Sequence, residues 1–289
     1  MKKYSKKKKG NQVTSKSLKG HLSPLAHKRV EQCGNFIEMK TDKEKSVMKV
    51  NWGLFCENRF CPMCAWRLAQ KDALKVSVLM QHLETAYNKA FIFLTLTAPN
   101  VKGENLKSEI DRYNKAFKNL VLRNEVAAVN KGYIRKLEIT YNKERNDYHP
   151  HFHVIMAVNR GYFKDKTYIP QARWLDLWRD VMNCPEITQV DVRKVKNRDG
   201  KAVSEVAKYS AKDSDYNYSQ SVFDVFYKAL RGRQVMTFNG LFAQANKVYK
   251  AGELEQYFEP DKIKYYWLIL YRWKGEKYIE EQQKRFEGQ

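Results

Sequence analysis

The chain has 289 residues, 43% of them hydrophobic, so it can bury one large core or two to three smaller ones. Lys and Arg outnumber Asp and Glu by 54 to 32, a formal charge of +22. An excess of that size excludes an ordinary metabolic enzyme; apart from added solubility, its use is to bind a polyanion by neutralising phosphates and releasing counterions.

Residues 1–30 hold ten Lys or Arg and no acid, beginning with Lys2, Lys3 and the run Lys6 to Lys9. A segment that repels itself has little to bury, so it reads as a flexible basic arm able to steer the chain onto DNA. No run of about 18 apolar residues occurs, and no apolar stretch of the signal-peptide kind opens the chain. A cytoplasmic protein with no membrane partner is therefore expected. In that compartment five cysteines favour metal binding over disulfides.

Four of those cysteines lie between 31 and 68. Cys61-Pro62-Met63-Cys64 has the spacing of a zinc knuckle, and Cys33 and Cys56 can close a tetrahedral four-thiolate site. Such a Zn²⁺ site would be structural and would bring Arg59 and Arg67 to a DNA-facing surface. Buried free thiols are the alternative. A redox pair lacks the βαβ surroundings that it needs. Cys184 stands alone and reads as packing.

Helical spacing of Leu68, Leu74, Val78 and Leu79 predicts a helix over 68–88. FIFLTLTAP (91–99) is a strand ended by Pro99. Leu106, Ile110, Tyr113, Phe117, Leu120 and Val121 predict an amphipathic helix over 104–127. Strands at 133–141 and 151–158 form a hairpin-like pair, followed by a helix at 171–182, an alternating strand at 186–195 and a helix at 201–212. Beyond 216 come a helix near 221–230, a strand at 262–273 and a charged terminal helix. The order predicts an α+β fold, a central and largely antiparallel sheet with flanking helices. The expected divisions are a basic arm (1–30), a four-cysteine zinc-binding subdomain with its helix (31–88), a central sheet domain (89–215) and a C-terminal helix and strand region (216–289). Trp174, Trp178 and Tyr162 can stack on bases, but core packing is the expected use.

His149, His151 and His153 are half of the chain's histidines. On a strand, His151 and His153 project from one face about 6–7 Å apart, a spacing that lets two imidazoles share a divalent cation. If Tyr141 pairs with Pro150, Glu138 lies opposite His153 and adds a carboxylate. Two His and one carboxylate with open positions suit Mg²⁺ or Mn²⁺ in phosphoryl chemistry. His149 can support a ligand by hydrogen bonding. A surface histidine cluster is the competing reading.

On a helix, Glu205 and Tyr209 share a face one turn apart, with Lys212 close by. A phenol with a pKa of about 10 needs a cation or base to become a nucleophile. Lys208 or Lys212 can supply the charge and Glu205 the base. Taken alone, such a tyrosine is more often packing.

Taken together, FLTLT (93–97), HPHFH (149–153) and EVAKYSAKDSDY (205–216) resemble the three motifs of rolling-circle replication initiators from small bacterial plasmids. These belong to the HUH nucleases, named for paired histidines flanking a hydrophobic residue, here His151-Phe152-His153. The resemblance covers roughly residues 30–245 and implies an HUH-like sheet, with 89–215 as the nicking domain and an origin-binding role open to 216–289. It implies that Tyr209 attacks the double-strand origin, forming a 5′-phosphotyrosine link and a free 3′-OH. His151, His153 and Glu138 would hold the metal, and Glu205 would activate water for the terminating cleavage. Lys208 would join Arg59 and Arg67 on the DNA. The implied partners are plasmid origin DNA, duplex and single-stranded, with host helicase and replication proteins; a homodimer is compatible. A relaxase or transposase would share the chemistry, and a non-catalytic zinc-containing DNA-binding regulator would not.

Overall fold

The structure, a computed structural model, describes residues 1–195, 200–207 and 210–287. It contains two compact units, Met1–Leu68 with Glu259–Gln289 and Ala69–Phe258. In chain order the elements begin with α1 (Lys2–Ser17), α2 (Pro24–Gln32), β1 (Phe36–Thr41), β2 (Met48–Gly53) and α3 (Pro62–Tyr87). There follow β3 (Lys89–Thr97), α4 (Leu106–Leu122), α5 (Asn124–Val129), β4 (Gly132–Asn142) and β5 (Asp147–Asn159). The rest are α6 (Gln171–Met182), β6 (Asp191–Lys194), α7 (Gly200–Ala207), α8 (Asp213–Tyr216) and α9 (Gln220–Leu230). Last come β7 (Met236–Gly240), α10 (Leu241–Lys250), β8 (Trp267–Trp273) and β9 (Tyr278–Arg285). No described helix is long and apolar enough to cross a membrane.

The larger unit is built on a five-stranded sheet in the order β6-β3-β5-β4-β7, antiparallel at every pairing. β5 is central and buried along most of its length, because both of its faces are covered. On one face Phe152 meets Tyr113 and Phe117 of α4 edge-on, at 5.5 and 5.7 Å, and Tyr113 meets Trp178 of α6. On the other, Phe91, Phe93, Ile134 and Ile155 join α3, α7 and α10 through Leu79, Leu83, Val206 and Phe242 in one apolar cluster. Period-2 alternation sends neighbouring side chains to opposite faces, so this second face also carries His151 and His153.

The smaller unit holds a four-stranded sheet, β2-β1-β8-β9, also antiparallel throughout. Its core consists of Ile37, Met39, Met63, Ile269, Tyr271 and Tyr278 around three buried cysteines. The C-terminal strands thus complete a sheet begun near the N-terminus. Division into an N-terminal and a C-terminal region, as the sequence predicts, is replaced by one unit made of both ends.

Several expectations change: the strand expected over 186–195 is only β6 (Asp191–Lys194), and that over 262–273 only β8 (Trp267–Trp273). Residues 1–30 form α1 and α2 rather than a flexible arm, because α1 turns Lys8, Asn11, Thr14 and Ser15 inward. The Lys8 ammonium finds partners inside: Asn11 Oδ1 at 3.1 Å and the carbonyls of Glu31 and Cys33 at 2.9 and 2.7 Å. A buried lysine with several acceptors is tolerated, and those acceptors lie too far along the chain for a local pattern to reveal. The charged terminal segment is β9, not a helix; beyond Tyr278 its side chains are exposed, so polarity says nothing of its strand state. Charge along such an edge strand blocks further pairing. The helix expected over 104–127 breaks at Arg123, whose extended backbone (φ −60°, ψ 134°) separates α4 from α5.

Candidate functional site

Adjacent strands β4 and β5 lay out the histidine site. The expected pairing of Tyr141 with Pro150 is corrected to Tyr141 with Tyr148, which puts Glu138 opposite His151 and Lys136 opposite His153. A slip of two residues preserves the face, so Glu138 still shares it with the histidines. Glu138, His151 and His153 are all buried. Glu138 Oε2 lies 2.9 Å from His153 Nε2 and 3.4 Å from His151 Nε2.

The opposite ring nitrogens are held from behind. His153 Nδ1 is 3.3 Å from Thr95 Oγ1 on β3, which pairs with His153 across the strands. His151 Nδ1 is 3.2 Å from the His149 carbonyl oxygen. Both Nε2 atoms are thereby turned to Glu138. The expected support from His149 thus comes from its backbone rather than its ring. Burial, followed by the nearby His151, draws the His149 imidazole below its ordinary pKa. Burial by itself would raise the Glu138 pKa, but hydrogen bonding to His151 and His153 reverses this and holds the carboxyl well below the usual carboxylate range. Glu138 is thus a carboxylate at neutral pH.

Ligands at about 2.1 Å on neighbouring corners of an octahedral ion lie about 3 Å apart. Separations of 2.9 and 3.4 Å between the carboxylate oxygen and the two ring nitrogens fit that geometry. The site is bounded further by Phe93, stacked on His153 at 5.6 Å, and by Arg193 of β6, whose guanidinium lies 4.6 Å over Phe93. Sequence reading missed Thr95 and Phe93 as supports. The signal was the alternation of Phe93, Thr95 and Thr97, which puts all three on the histidine face.

α7 brings Glu205 to this face, with Glu205 Oε2 3.9 Å from His153 Nε2. Val206 and Ala202 anchor the helix in the core beneath. Lys208 and Tyr209 lie outside the described residues. Ser210 is next, and its carbonyl accepts a hydrogen bond from Ile139 N at 2.8 Å, one residue from Glu138. Lys212 does not continue the helix as expected; its backbone is extended and caps α8. Tyr216 is buried against Phe223 and Phe226, a core residue. Trp174, Trp178 and Tyr162 are likewise buried, and the Trp178 indole donates to the Thr97 carbonyl at 2.7 Å.

The four sulfurs of Cys33, Cys56, Cys61 and Cys64 come together in the smaller unit. Cys33 lies 3.5 Å from both Cys61 and Cys64, and Cys56 lies 3.7 Å from Cys64. A tetrahedral zinc site with bonds of about 2.3 Å has sulfurs about 3.8 Å apart. Pro62 sits at the first position of α3, where its missing N–H costs nothing, and Cys64 follows in the first turn. Glu57, at φ 59°, turns its N–H to Cys64 Sγ at 3.3 Å. Asn11 Nδ2 donates to Cys61 Sγ at 3.3 Å. Gly34, at φ +72°, lets the chain reverse after Cys33; a Cβ there would meet Met63 Cε and Tyr278 Oη at 3.0 Å.

The thiols pull one another in opposite directions: hydrogen bonding to Cys56 drives the Cys33 pKa up, and hydrogen bonding with Cys33 drives that of Cys64 down. Of the expected DNA contacts, Arg59 is exposed, while the Arg67 guanidinium lies 3.5 Å over the Phe55 ring. Cys184 is buried, its thiol 3.3 Å from Glu186 Oε2.

A family model described as replication protein matches residues 47–279. A "Protein rep" of Staphylococcus aureus is 52% identical over 222 residues, covering 76% of this chain and 97% of the relative. Proteins of the same name from Bacillus amyloliquefaciens and a Bacillus species are 36% and 34% identical. They cover 78% and 81% of this chain and 74% and 84% of their own lengths. No solved structure gives a significant match. The chain belongs to the replication protein family, the Rep initiators of plasmid replication that its three motifs resemble.

Proposed function

We propose that this chain starts rolling-circle replication by nicking a plasmid's double-strand origin with Tyr209. The observation that carries the reading is the convergence of Glu138, His151 and His153 on one sheet face, with Glu205 3.9 Å from His153. An HUH-like arrangement of the sheet is part of the proposal. His151, His153 and Glu138 would hold Mg²⁺ or Mn²⁺, which supplies polarisation of the scissile phosphate and neutralises its developing charge. Cys33, Cys56, Cys61 and Cys64 would hold structural Zn²⁺.

Tyr209 provides the nucleophile. Its phenolic oxygen bonds to phosphorus, the bond from phosphorus to the 3′ oxygen breaks, and the departing oxygen gains the proton that makes a 3′-OH. Glu205 takes a proton from the water that ends the final cleavage, so hydrolysis rather than a further covalent link closes the cycle. Lys212 and Lys208 balance charge on the phenolate or phosphate, and Arg59 and Arg67 hold the DNA backbone. Support for placing Tyr209 in the reaction comes from its chain neighbours: Glu205 reaches His153, and Ser210 bonds to the residue beside Glu138. The free 3′-OH then primes synthesis by host helicase and replication proteins.

The test is incubation with an origin-bearing supercoiled plasmid and Mn²⁺. Nicked circles with covalently attached protein are expected, and Tyr209→Phe should give none while still binding duplex. Binding without nicking by the native chain would make it a non-catalytic DNA-binding regulator instead. An adduct retained by Tyr209→Phe would move the nucleophile elsewhere.

A further inference from the structure

The smaller unit joins a basic helix to the four-cysteine cluster. α1 is docked through its inward side. Lys8 bonds to the Cys33 carbonyl, Asn11 to Cys61 Sγ, and Tyr4 packs edge-on against Trp66 at 5.0 Å. A divalent ion held by four thiolates leaves net negative charge, which the buried Lys8 ammonium offsets. The outward side is different in kind. At 100° per residue Lys2, Lys6, Lys9 and Lys16 fall within about 80° of one another, and all four are exposed. No acid occurs anywhere in the helix.

Three of these lysines face a second basic element. Lys2, Lys6 and Lys9 line a cleft of about 480 Å³ whose far wall is the β8–β9 turn, with Lys277, Glu276 and Tyr278. Four lysines against one glutamate give its lining a net positive charge. Lys2 to Lys9 spans about 10.5 Å along the helix, about three nucleotide steps at 3.4 Å per nucleotide. Base stacking needs an exposed aromatic face. Tyr278, the aromatic residue lining the cleft, is buried and donates its hydroxyl to the Gly34 carbonyl at 2.6 Å. The cleft therefore suits backbone phosphates and not splayed bases.

We propose that α1, held in place by the four-thiolate centre, grips the phosphodiester backbone of duplex DNA in the cleft it forms with the β8–β9 turn. This rests on the reading of the chain as a DNA-binding initiator. It also gives the metal centre a purpose, because without the ion α1 loses its seat and the lysine row loses its alignment. The contact is independent of base sequence, because lysines reach phosphates as point charges.

The test uses the full-length zinc-loaded protein and a duplex of non-origin sequence, with fluorescence anisotropy read from about 50 to 200 mM salt. Each phosphate contact contributes about 0.9 to the slope of log affinity against log salt, so K2Q/K6Q/K9Q/K277Q should lower its magnitude by about 3.6. Circular dichroism and zinc content confirm that this variant folds, as expected for exposed positions. An unchanged slope overturns the proposal, and so does a fall seen with single-stranded but not duplex DNA. Lys8→Met leaves the outer lysines intact; it should speed proteolysis within the first 20 residues and lower the slope similarly. Faster proteolysis with a native slope would overturn the link between docking and DNA. The slope is measured without nicking, so failure of the Tyr209 chemistry leaves this result standing, and the reverse holds.

Discussion

The four cysteines gather around one another in a small core, whereas Glu138, His151 and His153 are laid along paired strands of a larger sheet. In the first cluster the ligands come from a helix end, a turn and the start of another helix, and N–H groups of Glu57 and Asn11 close on the sulfurs. Four thiolates brought this close would repel one another, and a divalent ion would offset that repulsion. In the second, the sheet's hydrogen bonds and the apolar cluster beneath fix the ligands before any cation arrives. Thr95 and the His149 carbonyl turn both imidazoles toward Glu138. A closed shell of four thiolates suits a structural ion. A three-residue set on a rigid face, approached by Glu205, would leave an ion's other coordination positions for a phosphate.

Substitutions can break or sharpen that contrast. Cys61→Ser should have the largest effect: bound zinc falls to background and the smaller unit loses its fold, since structural zinc contributes on the order of 10 kcal/mol. Metal content and thermal unfolding measure it; a variant that keeps both would mean the cysteines are ordinary core. His153→Ala should leave the fold intact and lower nicking by roughly a thousandfold, with duplex binding kept, a loss of about 4 kcal/mol in the transition state. Unfolding of that variant would erase the contrast, because the site would then be structural too.

Thr95→Val removes only the group behind His153. It should weaken Mn²⁺ binding by about 10- to 100-fold, read by titration, and Thr95→Ser should restore it. Equal binding by the valine variant would show that packing against Phe93 alone orients the ring. The smallest effect concerns acid. Glu138 has a depressed folded pKa, so its stabilising contribution is full above the unfolded carboxyl value of about 4.3 and is lost as pH falls further. Glu138→Gln should flatten the acid limb of the stability curve of the metal-free protein; an unaltered limb would show that the carboxylate's bonds to the histidines add nothing.

Much of the larger unit was legible in the sequence because its strands obey local rules. The apolar, aromatic and β-branched content of FIFLTLT and HFHVIMAV marks strands, and α6 begins and ends where its periodicity does. That His151 and His153 share one face of the sheet follows from their spacing. Thr95 was not legible as a support, since its role depends on pairing with a strand more than fifty residues away. The register was misjudged by two residues, yet the face was right, because a strand's side chains repeat every two positions.

The smaller unit was read less well for the same physical reason. α1 looks like a solvated lysine run until Glu31, Cys33 and Asn11 supply acceptors for Lys8. β9 looks like a polar helix until β8 offers it a backbone partner. By itself the sequence determined which residue types can bind cations, which faces are apolar, and that a polyanion is the partner, because these properties belong to side chains and their spacing. Only the tertiary structure decided which distant strands pair, which lysine is buried and how the two chain ends form one unit. Those outcomes depend on hydrogen-bond partners and burial that no local stretch of chain contains.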